Sequence, residues 1–279
     1  MLAEDIARLH NSELPIGIFD SGVGGLTVVR QIRRTLPHED IVYLGDTARV
    51  PYGTKSPSTI VRFSDEDIEF LLHQQVKAVV VGCSTVSAWA LPTLIKKYDL
   101  PIWGVIMPGV ETALSVTRNN RIGVIGTNAT IRSMCYNRSI KARRPGARVF
   151  AQACPLLVPL VEEGWMNHRV THIILEEYLQ PLLRQRIDTL ILACTHFPLL
   201  KSAIRRIVGK SATLVDSAER CAIYARESLE QNGLLCKKRR RHGRLEAFVT
   251  DETQRFTSLA QRFLGEPLHS ALKVVLPAS

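Results

Sequence analysis

The sequence predicts an α/β fold of two similar domains, each a mainly parallel sheet flanked by helices, with an active site in the cleft between them. Three observations carry this. Short, apolar, largely β-branched runs alternate with longer stretches of helical period. Two pairs of segments repeat in the same order at nearly the same separation. In one of these pairs, a cysteine stands just past the strand in both copies.

The strand candidates are residues 16–19, 41–44, 78–81, 102–105, 122–125, 148–151, 189–192 and 213–215. Helix-length segments such as 26–35, 59–74 and 170–183 separate them. Ile16-Gly17-Ile18-Phe19-Asp20-Ser21 is echoed by Ile122-Gly123-Val124-Ile125-Gly126-Thr127, 106 residues later. Val79-Val80-Val81-Gly82-Cys83-Ser84-Thr85 is echoed by Leu190-Ile191-Leu192-Ala193-Cys194-Thr195-His196, 111 residues later. The expected division is therefore 15–105 plus 219–279 for the first domain and 106–218 for the second, after an N-terminal extension of residues 1–14. The segment from about Glu219 is expected to return and complete the first half.

With 279 residues, 46% of them hydrophobic and 22% charged, the chain can bury substantial cores and reads as globular. Residues 1–14 scatter Glu4, Asp5, Arg8 and Glu13 among apolar positions, unlike a secretory signal. No apolar run approaches the roughly 20 residues that span a bilayer. The expectation is a cytoplasmic protein with no membrane partner. Six cysteines occur, with no C-x-x-C pair and no zinc-ligand spacing to histidine, so no metal is expected. Cys135, Cys154, Cys221 and Cys236 read as packing or surface residues. The net charge of +10 includes five cations in residues 237–241, and without them it is +5. Such a run is usually a solvated loop, so nucleic acid is not the expected partner.

The chemistry concentrates at the two cysteine turns. Each follows a buried strand and a small residue, Gly82 or Ala193, and each is expected to precede a helix. Ligands in open α/β sheets bind at the carboxyl ends of strands, where helix starts favour anions and thiolates. A cysteine on each wall of a cleft suits inversion at carbon: one thiolate removes a proton and the opposing thiol supplies one. Nucleophilic catalysis by Cys194 with His196 remains an alternative, although it leaves Cys83 unexplained. The turn Asp20-Ser21-Gly22-Val23-Gly24-Gly25 is not a dinucleotide fingerprint, and Asp20 has a helix N-cap as its plainer role. The polar loop 45–53 contains Pro51 and Gly53 and is of a kind that often carries function.

Several of these segments resemble glutamate racemases, members of the cofactor-independent aspartate/glutamate racemase family. They are Phe19-Asp20-Ser21-Gly22-Val23-Gly24-Gly25-Leu26-Thr27, Asp46-Thr47-Ala48-Arg49-Val50-Pro51-Tyr52-Gly53, the stretch from Cys154-Pro155 to Glu162-Glu163-Gly164, and Cys194-Thr195-His196-Phe197-Pro198-Leu199-Leu200. The likeness continues through Asp216-Ser217 and Val249-Thr250-Asp251, and so covers nearly the whole chain. It implies interconversion of L- and D-glutamate without pyridoxal phosphate or metal, supply of D-glutamate for peptidoglycan, and a homodimer. Cys83 would act on the D-isomer and Cys194 on the L-isomer. Asp20, Glu162 and His196 would assist as acid/base or orienting groups. Asp20, Ser21, Tyr52, Gly53, Ser84, Thr85, Thr195 and His196 would bind the substrate.

One position departs from the family. Cys83 is followed by Ser84, where the family usually has asparagine. Serine is shorter and lacks one donor–acceptor arm. This leaves an aspartate or broader-specificity racemase as the alternative within the class. A nonenzymatic amino-acid or nucleic-acid binder is the alternative outside it, with residues 237–241 as its only support.

Overall fold

The computed structural model describes residues 11–237 and 242–276. Residues 1–10 of the expected N-terminal extension and 238–241 of the basic run lie outside the described residues.

The chain forms two sheets. Strands β1 (Ile16–Asp20), β2 (Ile41–Gly45), β3 (Ala78–Val81) and β4 (Ile102–Gly104) begin the first. Strands β5 (Arg121–Gly126), β6 (Arg148–Ala153), β7 (Thr189–Ala193) and β8 (Thr213–Asp216) make the second. Strands β9 (Leu245–Val249) and β10 (Leu272–Lys273) then return to the first. The orders are β10-β9-β2-β1-β3-β4 and β6-β5-β7-β8, with every pairing parallel. Without β9 and β10 the two orders are the same. The sequence repeat thus corresponds to β1 with β5 and β3 with β7.

Strands β1, β2, β3 and β7 are buried along their whole length. Helices cover both faces of such parallel sheets, which is why these strands read as continuous apolar runs. The covering helices are α1 (Leu26–Thr35), α2 (Pro57–His73), α3 (Ser84–Trp89), α4 (Leu91–Lys97) and α5 (Ile106–Val116). The second half adds α6 (Asn128–Arg132), α7 (Cys135–Arg143), α8 (Leu157–Glu162), α9 (Arg169–Arg184) and α10 (Lys201–Val208). The chain then runs through α11 (Ser217–Gln231) and α12 (Thr253–Leu264).

Local chemistry sets the helix starts. Ser56 Oγ accepts the Thr59 amide at 3.2 Å, and Pro57 fills the first turn of α2, where a missing N–H is harmless. The Asp216 carboxylate accepts the Ala218 amide at 2.9 Å and so starts α11. Helix α11 packs on both α1 and α5, joining the two halves. One apolar cluster runs from Leu26 and Val29 on α1 to Phe197, Leu200, Ala218 and Ala222. Each fully buried side chain of leucine or phenylalanine size in it contributes about 1.5–3 kcal/mol. Lys77, just before β3, forms a buried ion pair with Glu39, whose other oxygen accepts the Cys236 amide at 2.7 Å. Losing either charge would leave its partner buried and unpaired, a costly state.

Three expectations need correction. The strand expected at 102–105 ends at Gly104, because Val105 (φ −84°, ψ −12°) has already turned helical to lead into α5. No strand was expected at β9 or β10. Leu-Glu-Ala-Phe-Val carries a charge and is buried only at its last three residues, and β10 is exposed. The helix expected after the Cys194 turn opens as a 3-10 turn, Phe197–Leu200, before α10 begins.

Candidate active site

Both cysteine turns lie at the carboxyl end of the third strand of their half, and both open into one cavity of about 310 Å³. This volume suits a small metabolite. Ser21, Tyr52, Gly53, Cys83, Ser84, Thr85, Glu162, Cys194, Thr195 and His196 all line it. Asp20 does not. It is buried behind the wall, and its Oδ2 accepts the Gly25 amide at 2.8 Å.

The glycine turn after β1 brings the halves together. A Cβ on Gly24 would fall 2.3 Å from Thr195 Oγ1 and 2.6 Å from His196 Nδ1. Only a residue without a side chain permits this approach. Thr27 Oγ1 then donates to the Thr195 carbonyl at 3.1 Å, and Tyr43 Oη donates to the Gly22 carbonyl at 2.6 Å.

The loop after β2 is held from behind by charge. Tyr52 Oη donates to the Asp46 carboxylate and to Asp67 Oδ2, the latter at 3.2 Å. Arg49 Nε donates to Asp46 at 2.6 Å, and its guanidinium also pairs with Glu66 and Asp67. Burial, with Asp67 and Asp46 nearby, raises the Tyr52 phenol far above its ordinary value, so it stays protonated and neutral. The loop thereby presents Tyr52 and Gly53 to the cavity as fixed, uncharged surface.

The two thiols differ in setting. Cys83 Sγ lies 3.7 Å from Ser21 Oγ. Burial raises the Cys83 thiol well above the ordinary range and the Asp20 charge adds to it, against the opposing Val86 amide and Ser21 hydroxyl. At neutral pH Cys83 is a thiol. Cys194 Sγ lies 4.0 Å from His196 Nδ1, and His196 Nε2 lies 2.9 Å from Glu162 Oε1. Burial opposes a charge on His196, but hydrogen bonds to Cys194 and Glu162 outweigh it and raise the imidazole to about 10. Burial likewise works to raise Glu162, but the His196 contact outweighs it, and the carboxyl titrates below its ordinary value. At neutral pH the ring is therefore an imidazolium held between a carboxylate and a sulfur. Phe263 meets it edge-on at 5.0 Å and keeps it in place.

Hydroxyls complete the wall. Thr85 Oγ1 lies 3.0 Å from Thr127 Oγ1 and 3.2 Å from Thr130 Oγ1. Such groups hold carboxylates and ammonium groups by donating or accepting as needed.

A sequence model of the Asp/Glu/hydantoin racemases matches residues 16–222. A glutamate racemase of Geobacter metallireducens is 48% identical over 263 residues, which is 94% of this chain and 97% of the relative. The chain belongs to the Asp/Glu/hydantoin racemase family. Among solved racemases of this family, a glutamate racemase isoform from Bacillus anthracis superposes with a TM-score of 0.92 at 38% identity. The match covers 96% of this chain and all of that one. Glutamate racemase from Francisella tularensis, solved in complex with D-glutamate, gives 0.90 at 35% identity, with coverage of 96% and 100%.

Some cavity residues of this racemase-family chain escaped the sequence reading. Thr127 is one, although the repeat aligns it with Ser21. Asn128 follows it for the same reason. Arg255 is another, delivered by α12 from the far end of the chain, and no local motif marks it.

Proposed function

We propose that this chain is a cofactor-independent glutamate racemase, with Cys194 and Cys83 as its two bases. The single observation that supports this most is a thiol on each wall of one cavity, at equivalent strands of two equivalent sheets. Cys194, as thiolate, takes the α-proton of L-glutamate. Cys83 then gives its S–H proton to the opposite face of the planar carbanion, forming D-glutamate. This leaves Cys194 as thiol and Cys83 as thiolate, which is the form that accepts the D-isomer. Return to the starting form moves one proton between the sulfurs through solvent. Both proton carriers are side chains of this protein, so the scheme calls for no added cofactor.

His196, fixed by Glu162, keeps positive charge beside the Cys194 sulfur. Asp20 acts on Cys83 through its field rather than by touching substrate. Ser21, Tyr52, Gly53, Ser84, Thr85, Thr195 and His196 bind the carboxylates and amine. The domains are 15–105 with 219–279, and 106–218, and their closure excludes water. The product supplies D-glutamate for peptidoglycan, in the cytoplasm, from a homodimer. No helix among the described residues is long and apolar enough to cross a membrane.

A second reading, a racemase of aspartate or of broader specificity, is favoured by one observation. Ser84 lines the cavity where the family usually has the longer asparagine. Rates on glutamate and aspartate separate the two. Purified protein in deuterated water, without added cofactor, is expected to racemise glutamate and label its α-carbon. Cys83→Ala and Cys194→Ala should each abolish racemisation. Dependence on pyridoxal phosphate, or full activity in Cys83→Ala, overturns the scheme.

A further inference from the structure

A dicarboxylate must enter a cavity that already carries two carboxylates, Glu162 and Glu163. Glu162 is turned inward and occupied by His196. The hydroxyls of Ser21, Ser84, Thr85, Thr127 and Thr195 are neutral. Arg255, on α12, is the sole arginine or lysine among the described residues that line the cavity. It stands at the mouth, 66% exposed, with Nη2 4.0 Å from the Glu163 carboxylate, itself 67% exposed.

Helix α12 holds this cation in place from its other end. Arg262 Nη1 donates to the carbonyls of Val161 at 3.2 Å and Glu162 at 2.9 Å, which closes the end of α8. The same guanidinium packs over Gly164 (φ +79°), where a Cβ would lie 2.9 Å from Nη2. Arg255 and Arg262 are seven residues apart on one helix and so project from nearly the same face. A helix anchored by Arg262 on the second half thus carries Arg255 over the opening.

We propose that Arg255 is a substrate-capturing residue that takes the distal carboxylate of an entering dicarboxylate in exchange for Glu163. This rests on the glutamate reading above. The Arg255–Glu163 pair is solvent-exposed and long, so it is weak and exchanges at little cost. Glu163 occupies the cation until substrate arrives, and the exchange releases its carboxylate from the mouth. Arg255 also adds to the field that lowers Glu162, so capture and the His196 pair share one local charge balance.

The test is steady-state kinetics of Arg255→Gln and Glu163→Gln beside the wild type, at low salt and at about 0.5 M sodium chloride. Loss of an exposed, steering cation should raise KM about three- to tenfold at low salt while kcat changes less than about twofold. Wild-type KM should climb with salt, and that of Arg255→Gln should stay nearly flat. Glu163→Gln should lower KM, and Arg255→Lys should restore part of the loss. An active wild type whose KM and salt response are unchanged in Arg255→Gln overturns this inference and leaves the racemase reading standing. A wild type inactive on glutamate overturns that reading, and this inference with it.

Discussion

His196 Nε2 and the Glu162 carboxylate sit 2.9 Å apart, and the opposite ring nitrogen faces the Cys194 sulfur. Glu162 therefore sets both the orientation of the ring and the proton it keeps. Glu162→Gln should lower kcat about a hundredfold, the low end of what a positioned acid–base group contributes. KM should change less. Without the carboxylate His196 loses part of its upward pull, so the alkaline limb of the kcat–pH profile should move to lower pH. An unmoved profile would mean that Glu162 only fills space.

The same pair makes stability depend on pH. His196 rises from an ordinary 6.5 to about 10 in the folded protein, so its contribution is full below 6.5 and is lost as pH climbs toward 10. Glu162 is lowered, so its contribution is full above its ordinary 4.5 and is lost as pH falls through the folded value. The two overlap fully between 4.5 and 6.5. Urea midpoints should therefore decline from pH 6 to pH 9, and a His196→Asn variant should decline less over that interval.

The unequal settings of the thiols should be visible chemically. At pH 7 iodoacetamide should label Cys194 before Cys83, because burial and Asp20 hold Cys83 as thiol while Cys194 has a cation beside it. Peptide mapping by mass spectrometry reads the order. His196→Asn should remove the advantage of Cys194. Equal labelling in the unaltered protein would contradict the asymmetry.

Gly24 is a contact between halves rather than a nucleotide-type turn. A methyl group there would drive Thr195 and His196 away from the cavity by overlap at 2.3 and 2.6 Å. Displacement of that order costs about a hundredfold in rate. Gly24→Ala should thus lose about that much kcat/KM while circular dichroism still reports a folded α/β protein. Retained activity would show that the two segments can part without consequence.

The reach of the sequence reading follows the physics of each element. Central strands such as β3 and β7 are buried on both faces, and that requirement writes itself as the apolar runs Ala-Val-Val-Val and Leu-Ile-Leu. Strand β9 pairs with β2 from Ile41↔Leu245 to Gly45↔Val249, yet Glu246 interrupts its apolar run, so its strand character comes from its neighbour. Cys83 and Cys194 were recognisable because duplicated turns sit at matched offsets. The same repeat aligns Thr127 with Ser21. The 3-10 turn after Cys194 escaped because Pro198 and the apolar residues around it fit either helix type. Arg255 reaches the cavity through the packing of α12 on α1 and the Arg262 bonds to the end of α8, and no pattern near residue 255 encodes that.

The shared strand order of the two sheets has a thermodynamic corollary. Enantiomers have equal free energies in water, so a racemase must show equal kcat/KM for both at every pH. The protein has two matching sheet halves, and one cysteine turn from each lines the cavity. The two turns are nevertheless unlike, with Ser84 and Thr85 after one cysteine and Thr195 and His196 after the other. That inequality cannot alter the balance of products. It can only be divided between turnover and saturation, with a higher kcat for one hand offset by a proportionately higher KM.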